Sequence, residues 1–278
     1  EIVARRDEHD VVEIGAAGRA PGEELIEPAR HDPIEEMGIE DEARSTPEGE
    51  VANTRSRSGF GSFGLSWTGS RGYVGANYAY EDTRYGLPLI EDGQVELTPR
   101  RSMVNVRAEA RDLEGLFSSV RASLAARRYR HEEVAGGEVG TRFRNDTDEA
   151  EVLATHRRFG PLGGTVGAWA LDRRFAAAGD EALSPPVDQR AAAAFAYEEV
   201  TWHHATLQAS GRLDATRYEP RGGVLRPRSF ATFSGSVGLL VKPPFAGHST
   251  SFAVSLTRAT RYPALEELYF HGPHPGNF

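Results

Sequence analysis

From Ser58 onward the chain alternates apolar and polar residues over stretches longer than soluble strands usually reach. Between Thr206 and Thr216 every even position is polar and every odd one is small or apolar. From Val104 to Arg111 the same rule sets Asn105, Arg107, Glu109 and Arg111 against Val104, Val106, Ala108 and Ala110. Side chains of a strand point alternately to opposite faces, so each stretch makes a sheet with one greasy and one charged side. The stretches run to about 10–14 residues, against about 5–6 in globular domains. A tilted strand crossing a bilayer needs about 9–11 residues within it. The pattern therefore predicts an all-β fold, an antiparallel transmembrane β-barrel meander, with hydrocarbon on one face and water on the other.

Composition is compatible with that reading. The chain of 278 residues is 39% hydrophobic, with a mean hydropathy of −0.48. No run of about 18 apolar residues marks a membrane helix. A barrel escapes that test because only alternate residues face lipid. Cysteine is absent, which removes disulfides and thiolate chemistry. The net charge of −9 is concentrated at the start, where residues 1–55 hold 16 Asp and Glu against 6 Arg. So acidic a segment, poor in core-forming residues, reads as a mobile loop or tail. Nucleic acid is disfavoured as a partner, since no basic stripe survives the interspersed acids. Glu1 to Arg6 has no apolar core of the kind a secretion signal carries.

Five short junctions punctuate the chain: Thr68 to Arg71, Asp112 to Gly115, Phe159 to Gly163, the Val200 to His203 region, and Pro243 to Gly247. Between them lie longer polar segments, at about 82–100, 131–147, 175–189 and 218–228, rich in turn formers. Ten strands result, approximately 59–68, 72–82, 101–112, 115–130, 148–158, 163–174, 190–200, 203–217, 229–242 and 248–258. Short turns at one end and long loops at the other are the asymmetry of bacterial outer-membrane barrels. Trp67, Tyr73, Trp169 and Trp202 fall near the short-turn ends, where an interfacial aromatic girdle is expected. A soluble β-sandwich is the competing reading, with shorter strands and turns every 8–12 residues or so. An open ten-strand sheet would leave two unpaired edges in lipid, so the chain is expected to be an internal fragment of a longer protein.

Particular residues carry a resemblance. Arg57 to Gly59 through Gly64-Leu65-Ser66-Trp67, then Arg71 to Ala76, Tyr85 to Pro88 and Gly137 to Asp146, resemble the barrel of TonB-dependent outer-membrane receptors. The strongest match is Leu256 to Tyr269, a strand running into an R-x-P-x-x-x-E-L loop formed by Arg261, Pro263, Glu267 and Leu268. The following His271-Gly272-Pro273-His274 is similar to the zinc-uptake branch. The resemblance implies a 22-strand barrel, of which about ten strands are here, in the bacterial outer membrane. It also implies an internal plug, opened by the TonB–ExbB–ExbD complex with proton-motive force. Residues 1–56 are then an acidic extracellular loop segment and residues 57–278 a partial receptor barrel. The plug, its energy-coupling box and the closing C-terminal strand are missing from the pattern.

Histidine is the commonest metal ligand near neutral pH, with carboxylates in support. His9, His31, His131, Glu132, Glu133, His271 and His274 fall in segments expected at the long-loop rim, making them the candidate metal ligands. No permanently bound cofactor is expected. The transported ligand is expected to be a metal ion, with zinc first. An iron–siderophore or haem receptor of the same fold would instead use aromatic and Arg contacts. A passive porin and a rim-catalysed hydrolase are the rivals from other classes. No G-x-S-x-G, Walker loop, H-E-x-x-H or C-x-x-C is present, and no enzyme activity is expected. His203 and His204 read as an interfacial pair, His156 and His248 as strand-end residues. The water-facing Arg107, Glu109, Arg111, Arg121, Arg127, Glu149 and Glu151 are expected to pair across strands or against a plug.

Overall fold

In the computed structural model the described residues are 37–47, 49–88, 95–179, 182–223, 225–243 and 250–271. They form strands β1 (Met37–Asp41), β2 (Ser45–Thr46), β3 (Gly49–Glu50), β4 (Ser56–Gly69), β5 (Gly72–Leu87), β6 (Val95–Leu97) and β7 (Arg100–Arg111). There follow β8 (Phe117–Ala135), β9 (Glu138–His156), β10 (Leu162–Gly179), β11 (Val187–Trp202), β12 (Ala205–Pro220), β13 (Arg228–Val241) and β14 (Phe252–Arg258), then one short helix, α1 (Leu265–Tyr269). All but β2 and β3 belong to one 12-stranded sheet. Its long strands pair antiparallel with their sequence neighbours, the meander that the alternation predicts.

The ten predicted strands are all present, and most extend further at the long-loop end. Segment 131–147, expected as a loop, is instead the outer half of the β8–β9 hairpin. The hairpin closes through Gly136 and Gly137, whose positive φ angles of 59° and 86° suit a two-residue primed turn, a conformation that favours Gly, Asn and Asp. The wall also begins earlier than residue 57, because β1 pairs with β4. Hydrogen-bond ladders are indifferent to side-chain polarity, so strands continue where the apolar pattern stops.

Register assigns each residue to a face. Leu207, Ala209, Gly211, Leu213 and Ala215 share one face of β12, while Gln208, Ser210, Arg212, Asp214 and Thr216 share the other. Leu207, Leu213, Phe233, Val237, Leu239 and Leu256 are exposed large apolar side chains of the apolar face. From Leu207 to Ala215 the rise is about 27 Å along the strand, or about 21 Å at a tilt near 40°, close to the roughly 25 Å apolar band of a membrane barrel. Trp67 and Trp202 stand exposed on this face at the short-turn end. Tyr73 and Trp169 do not join them. Register pairs Tyr73 with Glu109 and Trp169 with Glu151, so both lie on the polar face, a parity that nearness to a turn conceals.

The apolar band has an abrupt upper limit. Ala150, Ala170, Ala192, Ala215 and Ala231 are register partners across five strands. The next positions on the same face are Asp148, Asp172, Arg190 and Arg217, and the row beyond begins Asp146, Arg174, Asp188 and Glu219. Like charges stand directly opposite at Asp148–Asp172 and Arg190–Arg217, which alone would destabilise the sheet. Ion pairs offset this: Arg128 and Arg174 reach Asp148 diagonally at 2.7 and 3.1 Å, and Arg190 reaches Asp172 directly opposite it at 3.4 Å.

Candidate functional site on the polar face

The polar face carries the features able to meet a ligand. At its long-loop end the segment after β14 folds back onto β10, β11 and β12. Leu265 and Tyr269 of α1 are buried together with Phe175, Val187 and Tyr218. Burial of these side chains sets the position, and polar contacts set the register. The Tyr218 hydroxyl donates to the Pro263 carbonyl at 2.8 Å, the Tyr269 hydroxyl to the Arg226 carbonyl at 3.2 Å, and the His271 N–H to the Leu183 carbonyl at 3.0 Å. Arg173 grips Glu266 at 2.6 Å while donating to Asn145 at 2.9 Å.

The R-x-P-x-x-x-E-L stretch builds this knob internally. Arg261 forks onto Glu267 through two bonds of 2.8 and 2.6 Å, and the Ala264 N–H donates to the same carboxylate at 2.7 Å. The Arg261 guanidinium, helped by that N–H, holds the Glu267 carboxyl down to about 2. Pro263 offers its carbonyl to Tyr218 and Leu268 packs against the buried cluster, so each motif position has a structural task.

Farther toward the short turns, Arg212 lies over the Phe195 ring at 5.2 Å and the Trp169 ring at 5.6 Å. Asp214 accepts from it at 2.9 Å. A Cβ on Gly167 would collide with the Phe195 ring, so this glycine makes room for the stack. Sequence reading missed the cluster, although Arg and Asp two apart on a strand share a face and could have signalled it. On the same face of β7 to β9, Arg121 pairs with Glu109 at 3.3 Å and Arg127 with Glu149 at 2.9 Å, the cross-strand pairing expected of these residues.

The metal candidates are dispersed. His131 is on the polar face of β8, stacked on Phe143 with ring centres 4.2 Å apart, and its Nε2 lies 3.6 Å from Glu133. Glu132 belongs to the opposite face, where it accepts from Arg142 at 2.7 Å. Strand alternation separates these neighbours, which corrects the grouping of all three. His271 is exposed and anchors the knob through its backbone. His9, His31 and His274 lie outside the described residues. Among the described residues no group of three or more His, Cys, Asp or Glu is arranged to hold a metal ion. His203 occupies the β11–β12 turn with φ of 50°, and His156 bonds Glu198 at 2.9 Å near the β9 end.

No family model matches the sequence. Solved structures do match its fold. The copper transporter OprC superposes with a TM-score of 0.64 at 15% identity, over 84% of this chain and 41% of that one. The FrpB iron transporter from Neisseria meningitidis (F5-1 variant) gives 0.65 at 13% identity, over 82% and 42%. BauA, the ferric preacinetobactin receptor from Acinetobacter baumannii, gives 0.55 at 11% identity, over 74% and 40%. The chain thus has the fold of TonB-dependent outer-membrane receptor barrels and spans about two-fifths of the length of these structures.

Proposed function

We propose that the chain forms part of the wall of an outer-membrane importer that takes up a metal as an organic chelate, driven through TonB–ExbB–ExbD. The apolar face meets outer-membrane lipid and the polar face lines the path. The observation that carries the chelate reading is Arg212 spread over Phe195 and Trp169 on that polar face. A planar cation bordered by aromatic rings suits anionic or aromatic groups on a chelator, whereas a bare ion requires several donors converging on one point. The ferric preacinetobactin receptor among the structural relatives supports the same class, and the copper and iron transporters support metal uptake in general.

A second reading keeps zinc as a bare ion. It rests on the His131–Glu133 approach, with His9, His31, His271 and His274 as further donors. The test is uptake by cells carrying the natural full-length protein, using a labelled ferric chelate, labelled zinc and a proton uncoupler. Chelate uptake should stop with the uncoupler and fall about tenfold in Arg212→Ala, equivalent to about 1.4 kcal/mol of lost binding. Uptake that survives the uncoupler would make the protein a porin. Loss of zinc uptake in His131→Ala, with chelate uptake unchanged, would replace the chelate with zinc.

A further inference from the structure

Between β14 and α1 the chain crosses the polar face of β12 and β13 as a strap, residues 259–263. One end is fixed at Ser234, the register partner of Arg212. The Ser234 hydroxyl accepts from the Thr260 N–H at 3.0 Å and donates to the Thr260 carbonyl at 3.1 Å. The other end is fixed by the Tyr218 hydroxyl on the Pro263 carbonyl. Asp214 and its register partner Thr232 lie between these anchors on the same face. Tyr262, the strap residue between the anchors, packs half-buried against the knob's core. Burial first, then the Asp214 charge, pushes the Tyr262 hydroxyl above the ordinary tyrosine range, while Arg212 acts in the opposite direction. Both charges are thus within electrostatic reach of this hydroxyl, which keeps its proton and stays a donor.

Two hydrogen-bonding groups under the strap are unused. Arg212 bonds Asp214 through Nε at 2.9 and 3.0 Å and through Nη2 at 2.8 Å, so its Nη1 has no hydrogen-bond partner among the described residues. Thr232 Oγ1 is buried and likewise has none among the described residues, a costly state for a hydroxyl. Directly opposed residues of paired strands have Cβ atoms about 4.5–5.5 Å apart, so a rotamer change carries the Asp214 carboxylate from Arg212 to Thr232. With nothing bound, the charge-assisted fork on Arg212 wins. An anionic group on the guanidinium replaces that fork and repels Asp214, which favours the hydroxyls. We propose that Asp214 is a ligand-operated toggle: when an anionic chelate occupies Arg212, it turns to the hydroxyls of Thr232 and Tyr262 and ties the strap down over the site. The inference rests on the chelate reading. Thr232 and Tyr262 are positioning residues and need not touch the ligand. The ligand drives the change because only one Asp214 position sets two anions on the same cation.

The test uses the natural full-length protein at neutral pH, with hydrogen exchange of residues 260–269 as the readout. One arm needs no ligand. Arg212→Gln removes the guanidinium and releases Asp214, so protection should rise about tenfold, the scale of a hydrogen bond to a charged group. Adding Tyr262→Phe or Thr232→Val should abolish the rise, whereas adding Thr232→Ser should leave it. If Arg212 merely braces the wall, its loss lowers protection instead; lowered or unchanged protection in Arg212→Gln overturns the toggle. The second arm adds ferric citrate and a ferric tris(catecholate), both anionic, to the wild-type protein. A chelate whose binding weakens about tenfold in Arg212→Ala should raise the same protection. In Tyr262→Phe it should bind more weakly and raise nothing. Arg212-dependent binding that leaves the exchange of residues 260–269 unchanged overturns the toggle and spares the chelate reading. Absence of Arg212-dependent binding for both chelates overturns the chelate reading, and the proposal with it.

Discussion

The wall places apolar side chains in two settings that use opposite faces of the same strands. On one face of β12 and β13, Leu207, Leu213, Phe233 and Val237 are exposed with no protein partner above them. On the other face of β10 to β12, Phe175, Val187 and Tyr218 are buried beneath Leu265 and Tyr269 of the knob. The first set makes sense only with hydrocarbon as its solvent, since water would meet a continuous apolar surface. The second set brings its own cover and excludes water by packing. Equal hydrophobicity therefore has different consequences: the first set depends on the bilayer, the second on a few residues following β14.

Truncating the cover should have the largest effect. Leu265 is fully buried, and Leu265→Ala is expected to weaken knob docking by about 2–5 kcal/mol, as for other buried leucines. Hydrogen exchange in the natural full-length protein would show residues 261–269 losing protection while β10 to β12 keep theirs. Unchanged protection would mean that the polar contacts alone hold the knob. The apolar band gives the next effect. Val237→Arg, near mid-band, is expected to cost about 2–4 kcal/mol in denaturant unfolding from bilayers. Leu207→Arg, at the band's lower margin, should cost nearer 1 kcal/mol or less because the penalty falls toward the interface. Gln208→Arg, the adjoining polar-face residue opposite Glu199, should change stability by about 0.5 kcal/mol at most. Equal costs at Val237 and Gln208 would remove the distinction between the faces.

Much of this was legible in the residues. The alternation in Thr206 to Thr216 gave both the strand and its faces, because period two survives any amount of twist. The ends were less legible. From Arg127 to Asn145 both faces are polar, so nothing in hydropathy separates strand from loop, although Gly136-Gly137 is a hairpin signal that can be read directly. Trp169 was assigned by nearness to a turn when its parity with Arg173 and Phe175 assigns it to the polar face. Glu132 fails as a companion of His131 for the same reason. The R-x-P-x-x-x-E-L stretch was recognisable, but the burial of Leu265 against Tyr218 joins residues 47 positions apart and is written in no local pattern. The charged rows beyond the alanines are likewise a product of register across β9 to β12, invisible until the strands are paired.

The smallest expected effect separates the two kinds of polar contact that hold the knob. Glu267 has its carboxyl held at about 2 in the folded protein, below the ordinary 4.5. A carboxyl with a lowered folded value stabilises fully above its unfolded value, and that contribution fades as pH falls from about 4.5 toward 2. Acidification through this window should therefore loosen residues 261–269, read as hydrogen exchange corrected for its intrinsic pH dependence. The apolar face of β12, whose side chains Leu207, Ala209, Gly211, Leu213 and Ala215 do not titrate, should not respond. Glu267→Gln should loosen the knob slightly at neutral pH and remove its acid response, since the amide still accepts from Ala264 but no longer attracts Arg261 as a charge. Because the pair is fully exposed, water and salt screen it, and 0.5 M salt at neutral pH should mimic part of the acid effect. An acid response that persists in Glu267→Gln would transfer the pH dependence to Glu266 and its bond with Arg173, where the knob meets the wall.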